Sequence, residues 1–331
     1  MKNNFILFFL SCFFFNSISF AETFKFEASN IQIVENGNLI YADKGRAISA
    51  DNNLEVESNK FEYIKDLNLL KVSNGGFALI KSENMKIKFD NAVIDQKKST
   101  IQASGEVIIY HSDKDLIIET DIMSYDQNTF SIEASGNVKV YQNNKNLIIK
   151  TEKINYNQKD QLINSETKTT MKDDLDNIYI ADNFFYEIDK DLLKLKNLKF
   201  KDIKNNNLSA SQAYINTKTY RLFGKDININ LNNSSFNEGN EPRLKGNSVI
   251  NDKEISEVTK GVFTTCKRRD KCPPWKLSAE KIKHDKKRKI IDYKNAWLSV
   301  YDVPVMYFPK FFHPDPTVKR KSGFLIPTIK N

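Results

Sequence analysis

The sequence predicts an all-β protein, an elongated β-jelly-roll or taco-like solenoid built from repeats of about 31 residues, and three observations predict it. First, two separate blocks recur at one offset: Ile101-Gln102-Ala103-Ser104-Gly105-Glu106-Val107 returns as Ile132-Glu133-Ala134-Ser135-Gly136-Asn137-Val138, and Asp115–Thr120 returns as Asn146–Thr151, each 31 positions on. Second, the apolar period inside a repeat is two: Ile132, Ala134, Gly136, Val138 and Val140 point one way, and Glu133, Ser135, Asn137 and Lys139 the other, as in a half-buried strand. Third, no stretch of the mature chain keeps a helical period for 12 residues, while turn signals such as Asp126-Gln127-Asn128 and Gln142-Asn143-Asn144-Lys145 separate the candidate strands. At 331 residues, 40% hydrophobic and 11% aromatic, the chain can build a core. It has only 11 Gly and 8 Pro against frequent Asn, Lys and Ile. That balance fits short polar turns, and it equally fits an A+T-biased genome.

Residues 1–21 read as a signal peptide. Met1-Lys2-Asn3-Asn4 is a short basic start, Phe5 to Phe15 an apolar run, and Ser19-Phe20-Ala21 a small-x-small cleavage site that places the cut between Ala21 and Glu22. The apolar run, about 11 residues, is well short of the roughly 20 a membrane-spanning helix needs. Leu10-Ser11-Cys12 only faintly matches a lipidation box, because the apolar run continues past the cysteine. Removal of Cys12 leaves Cys266 and Cys272 in a compartment where disulfides persist. Three fates stand open for them: a mutual bridge, pairing with a cysteine outside this chain, or a metal site. The metal reading is weak, since only His284 lies near and a structural zinc site needs four ligands.

Residues 22–230 carry the repeats. An apolar rung recurs at Tyr63, Ile94, Tyr125, Tyr156, Tyr186 and Tyr214, and His284 takes the matching place in a final copy over residues 279–300. The Ala-Ser-Gly step inside a strand marks a bulge or corner where the sheet folds over. One strand pair cannot bury its own apolar face, so successive repeats must stack around a continuous interior. That interior is either plain core or a groove for an apolar ligand. The open sheet ends invite a partner strand, the N-terminal one near residues 24–45.

Residues 229–248 lose the alternation, and 231–260 read as a polar linker. Charge then concentrates. Residues 260–294 hold 13 Lys and Arg against 4 Asp and Glu, which leaves the rest of the mature chain near neutral although the whole chain carries +8. Such a patch is a solvated face or a site for anions such as lipid phosphates or anionic glycans, and export makes nucleic acid the least fitting partner.

Residues 261–331 change character. "VFTTCKRRDKCPPWKLSAEKIKHD" is followed by "NAWLSVYDVPVMYFPKFFHPDPTVKRKSGFLIPT", with aromatics interleaved with prolines at Tyr307-Phe308-Pro309 and Phe311-Phe312, as at a strand end or a membrane interface. The run resembles the lipopolysaccharide-assembly outer-membrane protein family (LptD). In that family an exported OstA-like β-jelly-roll precedes a Thr-Cys motif, a Trp-containing strand, a Val-Pro-Val…Tyr…Pro segment and an Arg-x-Ser-Gly-Phe-Leu-x-Pro segment leading into a transmembrane barrel. The matching residues here are Thr265-Cys266, Trp275, Val303-Pro304-Val305 with Tyr307 and Pro309, and Arg320 to Pro327 with Lys321 interposed. Two departures follow. No set of eight or more barrel strands follows the motif before Asn331, so the expectation is a fragment or a split or truncated gene. Cys272 also permits a local bridge to Cys266, where family members tie the Thr-Cys cysteine to the barrel.

The resemblance implies lipopolysaccharide as cargo, a homologous periplasmic bridge protein joined by β-strand addition, an outer-membrane lipoprotein plug where the barrel exists, and a periplasmic location associated with the outer membrane. Burying one methylene is worth about 0.8 kcal/mol, so a 12-carbon acyl chain represents roughly 10 kcal/mol, far more than the ~0–1 kcal/mol of an exposed ion pair. Acyl shielding must therefore dominate carriage. Ile101, Val107, Ile109, Ile118, Val138, Val140 and Ile149 are the expected groove lining, and Lys286, Lys287 and Arg288 the expected contacts to anionic head groups. No catalytic, metal or cofactor site is expected: His111, His284 and His313 sit in unrelated sequence contexts, and no nucleophile motif or phosphate loop is present. The competing readings are a self-contained periplasmic bridge protein and a structural β-solenoid that binds anionic glycan.

Overall fold

A computed structural model describes residues 24–142, 146–232, 234, 236, 238–267, 273–315 and 318. The signal segment with its Ala21–Glu22 cut, Cys272 and the Arg320–Pro327 motif lie outside the described residues. Among the described residues the only helices are single 3₁₀ turns, and the strands join into one antiparallel sheet of 22, from Phe24–Val34 at one edge to Val303–Pro314 at the other.

The sheet is creased along its length. In Leu116–Asp126 the buried positions are Leu116, Ile118 and Thr120, then Met123 and Tyr125, so the alternation slips by one and leaves Asp121 and Ile122 outside. A strand with period-two side chains can keep an apolar face inward on both sides of a fold only by such a slip. The ladder records it as shifts between Ser104 and Val107, between Glu119 and Ile122, and between Thr151 and Lys153. Elsewhere the strand breaks outright, as between Met85–Phe89 and Asn91–Asp95 or between Ile178–Ala181 and Asn183–Glu187. Each crossing therefore contributes one segment to a first arm (85–89, 107–111, 116–120, 138–142, 147–151) and one to a second arm (91–95, 100–104, 122–126, 131–135, 153–157). The arms touch across the interior: Phe24 packs on Tyr63 and Phe26 on Phe61, with ring centroids 5.5 and 6.0 Å apart.

The Ala-Ser-Gly step is the crease, as its residues predict. Gly105 and Gly136 have φ of +77° and +83°, and a Cβ there would stand 2.5 Å from Oδ2 of Asp90 and 2.6 Å from Oδ2 of Asp121. Only glycine satisfies both the conformation and the close approach. At the outer ends of the arms, the turns Lys65–Leu67, Lys81–Glu83 and Ser112–Lys114 close on Asn68, Asn84 and Asp115, all left-handed. Among the described residues 25 non-glycine positions have positive φ, ten of them Asn and five Asp. The abundance of Asn thus has a use in the fold, because its side chain tolerates that region.

The expected linker over 231–260 is much shorter in the structure. Arg243–Asn251 and Ile255–Thr264 are strands laddered to their neighbours, so the sheet runs unbroken through this region. In Arg243–Asn251 only Val249 is buried, and a strand held by its ladder rather than by an apolar face leaves little periodicity to read. The rung also needs one correction. Tyr63, Ile94, Tyr125, Tyr156 and Tyr186 are all buried and lie in one cross-strand row, but Tyr214 is 39% exposed and Ile215 takes the inward place. The hairpin register sets this, pairing Leu193 with Ile215 and leaving Tyr214 opposite Lys194. His284 does belong to the row, through Ser256 on one side and Ile291 on the other.

Candidate functional site

The interior is lined by two long rows of side chains. On the first arm, cross-strand partners run Phe26, Ala47, Val56, Ala78, Ile87, Ile109, Ile118, Val140, Ile149 and Met171 without a polar interruption. The row continues through Tyr179, Phe200, Leu208, Ile229, Leu244, Phe263, Leu277 and Leu298. At about 4.8 Å between strands it extends roughly 80 Å. All seven lining residues expected from the sequence point inward, each at most 1% exposed, and Ile109, Ile118, Val140 and Ile149 share this row. Val107 and Val138 lie two residues nearer the crease on the same arm, and Ile101 on the second arm, beside Tyr125.

The row is not equally filled along its length. From Ala47 to Met171 it is fully buried, whereas Phe200, Leu208, Ile229, Leu244, Phe263 and Leu298 are only half-buried against the core. The second arm changes along with it. Its row runs Tyr63, Leu70, Ile94, Ile101, Tyr125, Ile132, Tyr156, Ile163, Tyr186, Leu193, Ile215 and Leu222, then turns polar at Asn251, Ser256, His284 and, beyond Ile291, His313. His284 and His313, unrelated in sequence, are thereby two strands apart on one face. Nε2 of His284 lies 2.7 Å from Asp315 Oδ2, and Nε2 of His313 lies 3.0 Å from the Tyr293 hydroxyl.

Opposite the crease the free edges of the arms meet in a seam, bridged by hydrogen bonds between residues far apart in sequence. Tyr125 donates to Glu83 Oε1 at 2.5 Å, Tyr156 pairs with His111 Nδ1 at 3.0 Å, Tyr186 donates to Gln142 Oε1, and Tyr220 donates to Asp174 Oδ1 at 2.5 Å. Burial raises the Tyr125 and Tyr156 phenols above the ordinary range, and the bond to Asp174 pushes Tyr220 up to about 12. The hydroxyls of Tyr125, Tyr156 and Tyr220 therefore stay protonated at any physiological pH. Burial also pushes His111 below the usual imidazole range and so favours its neutral form. Oε2 of Glu83 is buried with no hydrogen-bond partner among the described residues, a situation that costs about 1–3 kcal/mol for a polar group in general. Period-two reasoning placed Tyr125, Tyr156 and Tyr186 in the interior, and the alternation that turns Val107, Ile109, Val138 and Val140 inward also carries His111 and Gln142, the last residues of their strands. Only Glu83 and Asp174 sit in turns, where no periodicity marks them.

The expected head-group residues divide. Lys286 is half-buried, donates to Asn251 Oδ1 at 2.9 Å and to the Asp252 carbonyl, and is held by burial below the usual lysine range. Lys287 and Arg288 are exposed. Cys266 is half-buried with a free thiol whose Sγ lies 3.7 Å from the Trp275 carbonyl. Among the described residues no three His, Cys, Asp or Glu side chains gather as a metal site would require.

A creased antiparallel sheet enclosing a continuous apolar row defines the class of protein, and residues 51–187 match the OstA-like protein family. Curated proteins similar to this chain include LPS-assembly proteins LptD. That of Shewanella frigidimarina is 33% identical over 112 residues, which cover 31% of this chain and 14% of that protein. Those of Shewanella denitrificans and Hahella chejuensis are 30% and 32% identical over 122 and 117 residues, covering 37% and 34% of this chain and again 14% of each relative. The chain therefore matches about one seventh of the length of these relatives. Among solved structures, LptH, the LptA-homologous periplasmic component of the lipopolysaccharide transport device of Pseudomonas aeruginosa, is 10% identical with a TM-score of 0.20, covering 41% of this chain and 78% of that one. That likeness is too slight to bear on the fold.

Proposed function

We propose that the chain carries lipopolysaccharide toward the outer membrane, holding the acyl chains between its two arms. The observation that carries this reading is the apolar row on the first arm, and above all its half-buried stretch from Phe200 to Leu298. A solenoid whose interior is only core has less reason to leave six large apolar side chains partly exposed along an inner face that from Ala47 to Met171, and again at Leu277, is fully buried. Acyl chains would complete that packing. The OstA-like match and the LptD relatives support the same cargo.

Within this reading the protein is exported to the periplasm, and its partners sit at the sheet edges. Phe24–Val34 pairs on one side only among the described residues, and Ile31, Ile33 and Val34 are exposed, which suits addition of a strand from a homologous bridge protein. Val303–Pro314 is the opposite edge, pointing toward the barrel and lipoprotein plug that LptD-type assembly implies. The chain acts by carriage rather than catalysis. Lys287 and Arg288 supply positive charge near that end for phosphorylated sugar heads, while Lys286 braces the Asn251–Asp252 turn. Reversing Lys287 and Arg288 to Glu lowers capture of lipopolysaccharide several-fold at low salt and little at high salt, as expected for screened surface charge. Equal capture by the reversed protein at low salt would remove them from the path.

The test of the whole reading is site-specific photocrosslinking in cells making labelled lipopolysaccharide, with the probe at Val138 inside and at Lys139 outside, where the ammonium pairs with Glu119 at 3.2 Å. Crosslinks at Val138 and none at Lys139 are expected. None at Val138, in a protein shown to be folded and exported, would exclude acyl chains from the closed region, and none with the probe at Phe263 as well would leave a closed structural solenoid.

A further inference from the structure

The four seam bonds form two parallel series. The tyrosines stand at 125, 156, 186 and 220 on the second arm, and their partners at 83, 111, 142 and 174 on the rim of the first. Each pair spans 42 to 46 residues of sequence, so the bonds recur once per repeat. Tyr63, one repeat earlier than the interior Ile94, instead faces Asn68 of its own arm at 3.5 Å, and Ile94 has no hydroxyl to offer. Among the described residues the cross-seam bonds run from Tyr125 to Tyr220, the first three of them over the fully buried part of the interior.

A closed seam and an acyl-chain path make opposite demands. Entry of a chain must part the arms, and parting them strips each tyrosine donor from its acceptor at the border of an apolar interior, where unpaired polar groups are most costly. The groups on the rim differ in kind, namely a carboxylate, an imidazole, an amide and a second carboxylate. All can accept a hydrogen bond and each faces a phenol hydroxyl, which donates to Glu83, Gln142 and Asp174 and, at His111, donates or accepts with the imidazole tautomer. A sugar hydroxyl both donates and accepts, so it can replace either half of such a pair. Glu83 holds an acceptor oxygen, Oε2, that is buried and unpartnered among the described residues even with the seam shut.

We propose that this tyrosine series is a sequential latch, and that the paired groups Tyr125–Glu83, Tyr156–His111 and Tyr186–Gln142 are the subsites that bind hydroxyls of the carbohydrate head of an acylated glycolipid as it passes. The proposal rests on the lipid-carrying reading above. A molecule that opens one rung supplies the hydroxyls that re-satisfy it, and the rung behind closes on its own partner. The ring bodies of the tyrosines meanwhile remain part of the apolar wall, which an aliphatic rung could match only without contact to the head.

The test uses the full chain with its own cysteines replaced by serine and with Gln142→Cys and Tyr186→Cys. Their side chains meet only at the tips, too far for a direct disulfide, so a short bifunctional thiosulfonate that a reductant removes joins them. Two probes are followed, a fluorescent 12-carbon fatty acid and purified lipopolysaccharide. Joining the arms is expected to cut lipopolysaccharide uptake at least tenfold and reduction to restore it, the reduced protein serving as its own folding control. A second variant, Tyr125→Phe with Tyr156→Phe and Tyr186→Phe, keeps the rings and loses the donors; fatty-acid uptake should stay the same or quicken while binding of lipopolysaccharide relative to fatty acid falls about tenfold. Undiminished uptake by the joined protein overturns the latch, and an unchanged ratio in the triple variant overturns the subsites. If neither probe enters even the unmodified chain, the lipid-carrying reading itself fails and takes the latch with it.

Discussion

The strands before about residue 190 and those after it share one ladder and one crease, yet they fill the space between the arms differently. In the earlier region the first-arm row is fully buried, tyrosines project from the second arm, and the seam is bridged at Glu83, His111 and Gln142. In the later region the same row is half-buried, and the second-arm row ends in Asn251, Ser256, His284 and His313. The difference shows that laddering and closure are separable. Backbone hydrogen bonds hold both regions as sheet, while the second-arm row stays apolar and buried through Leu193, Ile215 and Leu222 and turns polar only from Asn251 on. Polar side chains at that edge keep their partners near the rim, as the pairings His284–Asp315 and Lys286–Asn251 do.

Substitutions in the two regions break or sharpen this contrast. The largest effect is expected from truncating the closed region: Tyr125→Ala removes a fully buried ring and should cost about 3–5 kcal/mol, whereas Phe263→Ala in the half-buried stretch should cost about half as much. Urea midpoints of the two variants check it, and equal losses would mean that the two regions are equally packed. Next comes the crease, where Gly136→Ala forces a side chain into positive φ and against Asp121, for an expected loss of about 1–3 kcal/mol. A melting temperature unchanged from the parent would show that the crease tolerates a Cβ.

The smallest effect is that of pH, and it reaches both regions, because burial depresses His111 in one and His313 in the other. With folded-state pKa values below the unfolded value of about 6.5, the unfolded chain binds protons first as the pH falls. Stability is therefore unaffected by these groups well above pH 6.5 and is lost as the pH drops below it. Melting curves from pH 7.5 to 5 should show that decline. His111→Gln should flatten it in part, leaving the contribution of His313. A slope identical to the parent's would show that the closed region does not sense protonation at His111.

Much of this was legible in the sequence because it depends on local order. The 31-residue offset, the period of two and the Ala-Ser-Gly step identify the repeat, the inner face and the crease. Each follows from what a strand does with alternate side chains and what a tight fold demands of a glycine. The inward-facing residues from Ile101 to Ile149 follow by the same rule. Where alternation weakens the reading weakens too, as in Arg243–Asn251, which reads as linker yet is a laddered strand, and at Tyr214, where the hairpin register pairs Leu193 with Ile215 and turns the expected inner rung outward.

The sequence by itself determined that this is a repeating, creased antiparallel sheet with an apolar interior, because period and conformational preference act within a few residues. Only the tertiary structure decided which rim residue meets which tyrosine across the seam and where the inner row changes from fully to partly buried. Those contacts join positions more than forty residues apart, and their partners are set by how the two arms lie over one another.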